Sequence, residues 1–225
     1  MNQKDKNPDY KHIYQFVCDE YNKTKHFAHG PFDETYFTLR VYETAKDLMK
    51  KLKQKVKRQQ VLVASLLHDI GKTKLDDARL FGKGGALETA WEEWHRHAKL
   101  GVPIARDFLS KLGHSKEFID EVCCLIEHHD LRGDKMKDKP LELQVLQDAD
   151  LLADIGFAGF IRSFLYSGKF ARSVLSSIQF LKKEDRTREG QKLNLEISKK
   201  IAEKEIKLQK ELTDELSKDF ESDLL

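Results

Sequence analysis

The run Val61-Leu62-Val63-Ala64-Ser65-Leu66-Leu67-His68-Asp69-Ile70 limits the fold of this chain more than any other segment. So nearly unbroken an apolar stretch has no polar face to offer water, which predicts a buried central helix that Gly71 then stops. The same run takes an imidazole and a carboxylate inside with it. Both are costly to bury without a partner. A hydrogen bond to a neighbour, with Asp69 capping another segment, would meet that cost in the simplest way. A divalent cation would satisfy both groups at once, and a mixed nitrogen and oxygen donor set suits Mn²⁺, Fe²⁺, Co²⁺, Ni²⁺ or Zn²⁺, with Mg²⁺ also admitted.

Around this run the pattern is helical. Prolines number four in 225 residues, and apolar positions recur at three- and four-residue spacing almost throughout. The spacing predicts helices over 10–21, from Asp33 or Thr35 to about Lys57, over 87–112 with an interruption near Gly101 and Pro103, over 115–130, 141–154 and 157–166, and over about 192–220. Residues 25–32, 72–86 and 132–140 read as loops, and Gly168 as a break. The simplest account is one all-α domain spanning 1–225, with an N-terminal helix and a C-terminal helical extension over about 190–222.

Further histidines and aspartates lie beside other apolar segments: His95 and His97 in Glu93-Trp94-His95-Arg96-His97, His128 and His129 in Ile126-Glu127-His128-His129-Asp130, and Asp148 and Asp150 in Asp148-Ala149-Asp150. With Leu39-Arg40-Val41-Tyr42-Glu43-Thr44-Ala45, Leu66-Leu67-His68-Asp69-Ile70-Gly71-Lys72 and Ile155-Gly156, in this order, they resemble the HD-domain metal-dependent phosphohydrolase superfamily over about residues 33–170, the small single-domain bacterial type in particular. The resemblance implies an HD-domain-like helical bundle, with His68, Asp69 and Asp150 as ligands of a divalent metal and Asp148 as a weaker candidate for the last place. It implies that His97 and His128 or His129 line the pocket, where related enzymes use them for a second metal or for phosphate. Lys72, one turn past the metal pair, would meet a phosphate oxygen, as Lys74 could. The implied substrate is a phosphate ester or anhydride, with nucleotides the leading class.

One position departs from the family pattern, which has its first histidine ligand three residues before the Arg40-Val41 pair; here that residue is Phe37. Three readings follow. The metal keeps His68, Asp69 and Asp150 with water; or Glu34, a turn earlier, or His29 substitutes; or the site is degenerate and binds a nucleotide or partner without efficient hydrolysis.

Other features exclude more than they assign. Gly71-Lys72-Thr73 resembles the end of a phosphate-binding P-loop, but Leu66 stands where that motif needs glycine. The lysines between Lys46 and Arg58 carry no interleaved aromatic residues, which argues for a solvated helix end and against nucleic acid. Trp91 and Trp94 read as a core wedge, Gly82-Lys83-Gly84-Gly85 as a loop suited to cover the pocket, and Arg40 as a helix-to-helix salt bridge. The C-terminal stripe, Leu193 to Phe220, favours packing back on the parent domain over a coiled coil, and a homodimer stays open. Cys18, Cys123 and Cys124 read as reduced thiols, no membrane span or secretory signal is visible, and the expected location is cytoplasmic.

Overall fold

The computed structural model describes residues 7–28, 33–76, 79–80, 92–132, 138–169, 171–183 and 192–220. Every regular element among the described residues is helical: α1 (Tyr10–Tyr21), α2 (Glu34–Lys51), α3 (Arg58–Leu67), a 3₁₀ turn (Ile70–Lys74), α4 (His97–Lys111), α5 (Lys116–His128), α6 (Leu141–Ala153), α7 (Gly156–Lys169), α8 (Val174–Lys183) and α9 (Glu196–Lys218). The fold is all-α with a long C-terminal helix, as the periodicity and the resemblance lead one to expect.

Side-chain caps fix several of the helix starts. Asp9 accepts from the His12 amide, Asp33 from the Tyr36 amide and Ser115 from the Phe118 amide, each satisfying a donor that has no partner inside its helix. Between Asp33 and Thr35 it is therefore Asp33 that caps α2. That helix ends at Lys51, short of the expected Lys57, because Lys53, Gln54 and Lys55 offer nothing to bury and Leu52 turns to an extended backbone.

The apolar run forms α3, which lies against α1, α2, α5 and α6. Val61, Val63, Ala64 and Leu67 have no exposed surface. The helix ends earlier than expected, with His68 at its C-cap and Asp69 at φ −100°, ψ 2° leading into the 3₁₀ turn. Gly71 therefore does not stop the helix. It lies inside the turn, where α4 presses against it: a Cβ there would sit 2.0 Å from the His97 carbonyl oxygen and 2.4 Å from the Gly101 nitrogen.

Three further expectations shift. α4 runs unbroken through Gly101 and Pro103, and the interruption comes before it, in the turn at residues 95–96. α7 passes through Gly168, where the sequence suggested a break, and α8 follows where no helix was expected. Residues 82–85 and Trp91 lie outside the described residues.

The C-terminal helix is tied to α6 by a buried carboxylate. Asp148 accepts from the backbone and side-chain amides of Asn194 and from the Leu195 amide, all at 2.8 Å, and so holds the N-terminus of α9. The first part of the stripe packs back onto the chain, with Leu193 in the core cluster and Ile197 and Ile201 against it, while Leu208 and Phe220 further along are exposed. No helix among the described residues is long and apolar enough to cross a membrane.

Two glycine substitutions should separate close approach from helix propensity. Gly71→Ala should cost about 3 kcal/mol or more, because backbone and not a flexible side chain blocks the new methyl group. Gly168→Ala meets nothing within 4 Å and should gain roughly 0.5 kcal/mol. Denaturant midpoints of the two variants against the parent check both signs.

Candidate metal centre

Three histidines stand at or near helix ends, and their backbones orient all three rings alike. The Nδ1–H of His68 donates to the Ser65 carbonyl at 2.9 Å, that of His97 to Trp94 at 2.6 Å, and that of His129 to Ile126 at 2.7 Å. Each bond reaches back three residues to a carbonyl that the ending helix leaves short of a partner. With Nδ1 committed in this way, Nε2 becomes the outward-facing atom of every ring.

Those Nε2 atoms converge on Asp69. The His97 Nε2 lies 3.1 Å from Asp69 Oδ1 and the His129 Nε2 3.5 Å from the same oxygen. On the other side the His68 Nε2 lies 3.2 Å from Asp69 Oδ2 and 3.6 Å from Asp150 Oδ1, buried and without a hydrogen-bond partner. Donors around a tetrahedral first-row cation, at bond lengths of about 2.1 Å, stand roughly 3.4 Å apart. The distances from His68 to Asp69 and to Asp150 match that edge, and the group whose ligand atoms all lie within 4.8 Å of one another is His68, Asp69 and His129, without Asp150. An orphaned imidazole nitrogen facing two carboxylates is a donor set that a divalent cation fits.

Charges of the chain's own surround the cluster. Lys72 bridges Asp69 Oδ2 at 2.6 Å and Glu34 Oε1 at 3.0 Å, and its ammonium lies 4.8 Å over the Trp94 ring. Arg132 pairs with Asp150 Oδ2 and donates to the Gln147 carbonyl at 2.7 Å. The Tyr21 hydroxyl, from α1, donates to the Asp69 carbonyl at 2.7 Å. Arg162 of α7 rests 4.1 Å over the Phe37 ring and pairs with Asp154 at 3.0 Å.

This environment splits the titrations. Burial alone would lower the pKa of His68, but Asp69 and Asp150 outweigh it and raise it to about 10. Burial opposes ionisation of Asp69, yet His68, Lys72 and His97 hold its carboxyl well below the usual range. Asp150 is lowered likewise, by the neighbouring His68 imidazole and by Arg132 against the effect of burial. The Nε2 atoms of His97 and His129 are 3.1 Å apart, a contact that needs a proton between two lone pairs. That proton rests on His97, whose pKa Asp69 raises against burial, while burial lowers that of His129.

The sequence candidates sort accordingly. His68, Asp69, Asp150, His97, His129 and Lys72 come together, and Glu34, fully buried, reaches the cluster through Lys72. His29 lies outside the described residues. His128 instead bonds the Cys124 carbonyl in its own helix, Lys74 is exposed, and Asp148 caps α9. Arg40 donates to the Ala153 carbonyl in place of a salt bridge to a neighbouring helix. Phe37 is buried, its ring centroid 6.3 Å from that of His68. Tyr21, Arg132 and Arg162 were not foreseen, since a lone tyrosine or arginine has no spacing signature.

Comparison with known proteins agrees with this architecture. The family model for the HD domain matches residues 38–154. Bacillus subtilis YpgQ superposes with a TM-score of 0.66 at 21% identity, covering 93% of this chain and 94% of that one. The structure of YpgQ in complex with ADP gives 0.62 at 20% identity, covering 94% and 97%. An HD-superfamily hydrolase from Bacillus thuringiensis gives 0.65 at 19% identity, covering 94% and 96%. No curated protein matches the sequence significantly.

Removing the shared ammonium should expose how tightly the cluster is balanced. Lys72→Met leaves Glu34 and Asp69 buried without their cation, at a cost of about 3–5 kcal/mol near neutrality. Asp69, depressed in the folded protein, stabilises it above the unfolded carboxylate pKa and ceases to do so as pH falls. The gap between parent and variant should therefore narrow below roughly pH 5, as protonation removes the unpaired charges. Urea unfolding at a series of pH values measures it; a gap that widens on acidification contradicts this account.

Proposed function

Because the chain belongs to the HD-domain family, we propose that it is a metal-dependent phosphohydrolase in which His68, Asp69 and Asp150 hold a divalent cation, Mn²⁺, Fe²⁺, Co²⁺, Ni²⁺, Zn²⁺ or Mg²⁺. The observation that carries this reading is the buried, unbonded His68 Nε2 facing both carboxylates at cation-compatible spacing. When bound, such a cation supplies a Lewis acid that makes water a better nucleophile and offsets phosphoryl charge.

The chain's own residues do the rest. The carbonyl of Ser65 keeps the His68 Nε2 lone pair aimed inward, and Arg132 fixes the carboxylate of Asp150 from behind. Lys72 holds Asp69 and Glu34, and a phosphate oxygen would reach its ammonium only in exchange for one of those carboxylates. His97 and His129, sharing one proton at their facing Nε2 atoms, are placed to hand it to a leaving oxygen. Of the substitutes for a ligand at position 37, Glu34 has support, since its Oε2 is buried without a hydrogen bond.

The substrate class is a nucleotide or related phosphate ester or anhydride. The ADP complex of YpgQ supports that choice, and the positive charges of Lys72, Arg132 and Arg162 suit a polyanion. The free thiols Cys18, Cys123 and Cys124 accord with a cytoplasmic setting. A second reading, a degenerate module that binds nucleotide without turnover, is favoured by Phe37 at a ligand position and by Lys72 already on Asp69.

Metal and activity assays together decide between them. Saturating Mn²⁺ at about a hundred times its Kd should stabilise the protein by roughly 2.7 kcal/mol, reversed by a chelator. Release of phosphate or pyrophosphate from a nucleotide panel should fall at least about a hundredfold in His68→Ala or Asp69→Ala. A protein that neither takes up metal nor turns over, but still binds nucleotide, establishes the module instead.

A further inference from the structure

Three cations and three carboxylates meet at this cluster: Lys72, Arg132 and Arg162 against Glu34, Asp69 and Asp150. Two of the cations are committed. Lys72 hydrogen bonds Asp69 and pairs with Glu34, and Arg132 hydrogen bonds Asp150 and the Gln147 carbonyl. Arg162 is held differently. It contacts none of those three carboxylates directly, and its pairing with Asp154 leaves Nη1 without a properly aligned hydrogen bond.

Its place is nonetheless fixed. Asp154 stands at the C-cap of α6, one turn after Asp150, and pulls the guanidinium toward that end of the helix. The Phe37 ring supports it at 4.1 Å, the separation of a guanidinium resting on an aromatic face. Such stacking fixes the plane of the group and leaves its N–H edge for a planar or tetrahedral oxyanion. The side chain is 19% exposed, so it is reachable, and Ser163 beside it in α7 is buried, so the helix cannot easily roll away. The residue that replaces a family ligand thus serves as the platform for an extra cation.

We infer that Arg162, stacked on Phe37, is a phosphate-docking residue: its uncommitted guanidinium edge takes an oxygen of the phosphate chain of a nucleoside di- or triphosphate. The inference rests on the phosphohydrolase reading only for the ligand being a phosphate, and it stands whether or not the bound nucleotide is turned over. Asp154 meets the guanidinium through Nη1, and a phosphate oxygen would take the part of the N–H edge that this pairing leaves uncovered.

Calorimetric titration of ADP and adenosine into the full-length protein, with and without Mn²⁺, tests this on the parent, Arg162→Lys, Arg162→Gln and Phe37→Leu. Arg162→Gln should weaken ADP at least about tenfold, the loss expected for a charged hydrogen-bonding partner, and leave adenosine unchanged. Arg162→Lys keeps the charge and the Asp154 pairing but loses the planar edge, so it should fall between, as should Phe37→Leu. If Arg162→Gln does not fold, Arg162→Lys decides. Equal ADP affinity in the parent and the arginine variants overturns the inference, as does a parallel loss of ADP and adenosine, or a parent that binds ADP no better than adenosine. An inert, metal-free protein whose ADP binding still depends on Arg162 removes the hydrolase reading and upholds this one.

Discussion

The carboxylate of Asp69 is 3% exposed, and the arrangement around it follows from the need to keep a charge there. A lone buried carboxylate would give up its charge sooner than its hydration. Here His68, His97, His129 and Lys72 all approach it within 3.5 Å, while Tyr21 ties down its carbonyl. They arrive on different elements, so the assembly of α1, α3, the 3₁₀ turn, α4 and α5 is the price of that one charge. The histidines serve because backbone carbonyls three residues back orient them, at the C-terminal ends of α3 and α5 for His68 and His129 and before the start of α4 for His97. That economy explains why all three are found at or beside helix termini and none at a helix centre.

Glycine and aspartate supply the tolerances. Gly71 lets the turn carrying Lys72 approach the backbone of α4 to a separation that no side chain permits, which brings Lys72 and His97 to opposite sides of Asp69. Asp148 does comparable work at the far side. By capping α9 it anchors the C-terminal helix to α6 two residues before Asp150, so the helix that presents Asp150 is braced from both faces. Gln147 continues the brace, donating to the His128 and Leu131 carbonyls and accepting Arg132 on its own. One short stretch, Gln147-Asp148-Ala149-Asp150, therefore couples the C-terminal helix to the cluster.

What was legible in the sequence was what local rules govern. A cap at Asp33 or Thr35, the extent of α1 and the burial of the Val61 run follow from spacing and capping chemistry, and the family resemblance named His68, Asp69 and Asp150. What was not legible depends on distant contacts. The 3₁₀ turn after Asp69 looked like a simple glycine stop, because the pressure of α4 on Gly71 is invisible along the chain. Asp148 and Asp150 are two residues apart in similar surroundings, and only the position of Asn194 and Leu195 distinguishes a cap from a candidate ligand. Arg132 lies in irregular backbone after α5, as the loop reading has it, and Arg162 lies in an apolar helix with no partner within reach of sequence spacing. Their roles are set by helices far away in the chain.

Phe37 shows why a departure from a family pattern need not be read as loss alone. A neutral imidazole at that position would add a lone pair beside His68 and draw a cation toward α2. A phenyl ring adds none, and its negative face instead attracts positive groups: Lys72 lies 5.9 Å above it and Arg162 4.1 Å. Any cation held by the cluster must then lean on Asp69 and Asp150, the two carboxylates that already carry Lys72 and Arg132. A cation held there would have to share Asp69 Oδ2 with Lys72, whereas at Asp150 the oxygen facing His68 is not the one that Arg132 holds. The ring thus adds no grip on a cation and instead gathers positive charge on its face, an electrostatic setting that suits an anion better than a second cation.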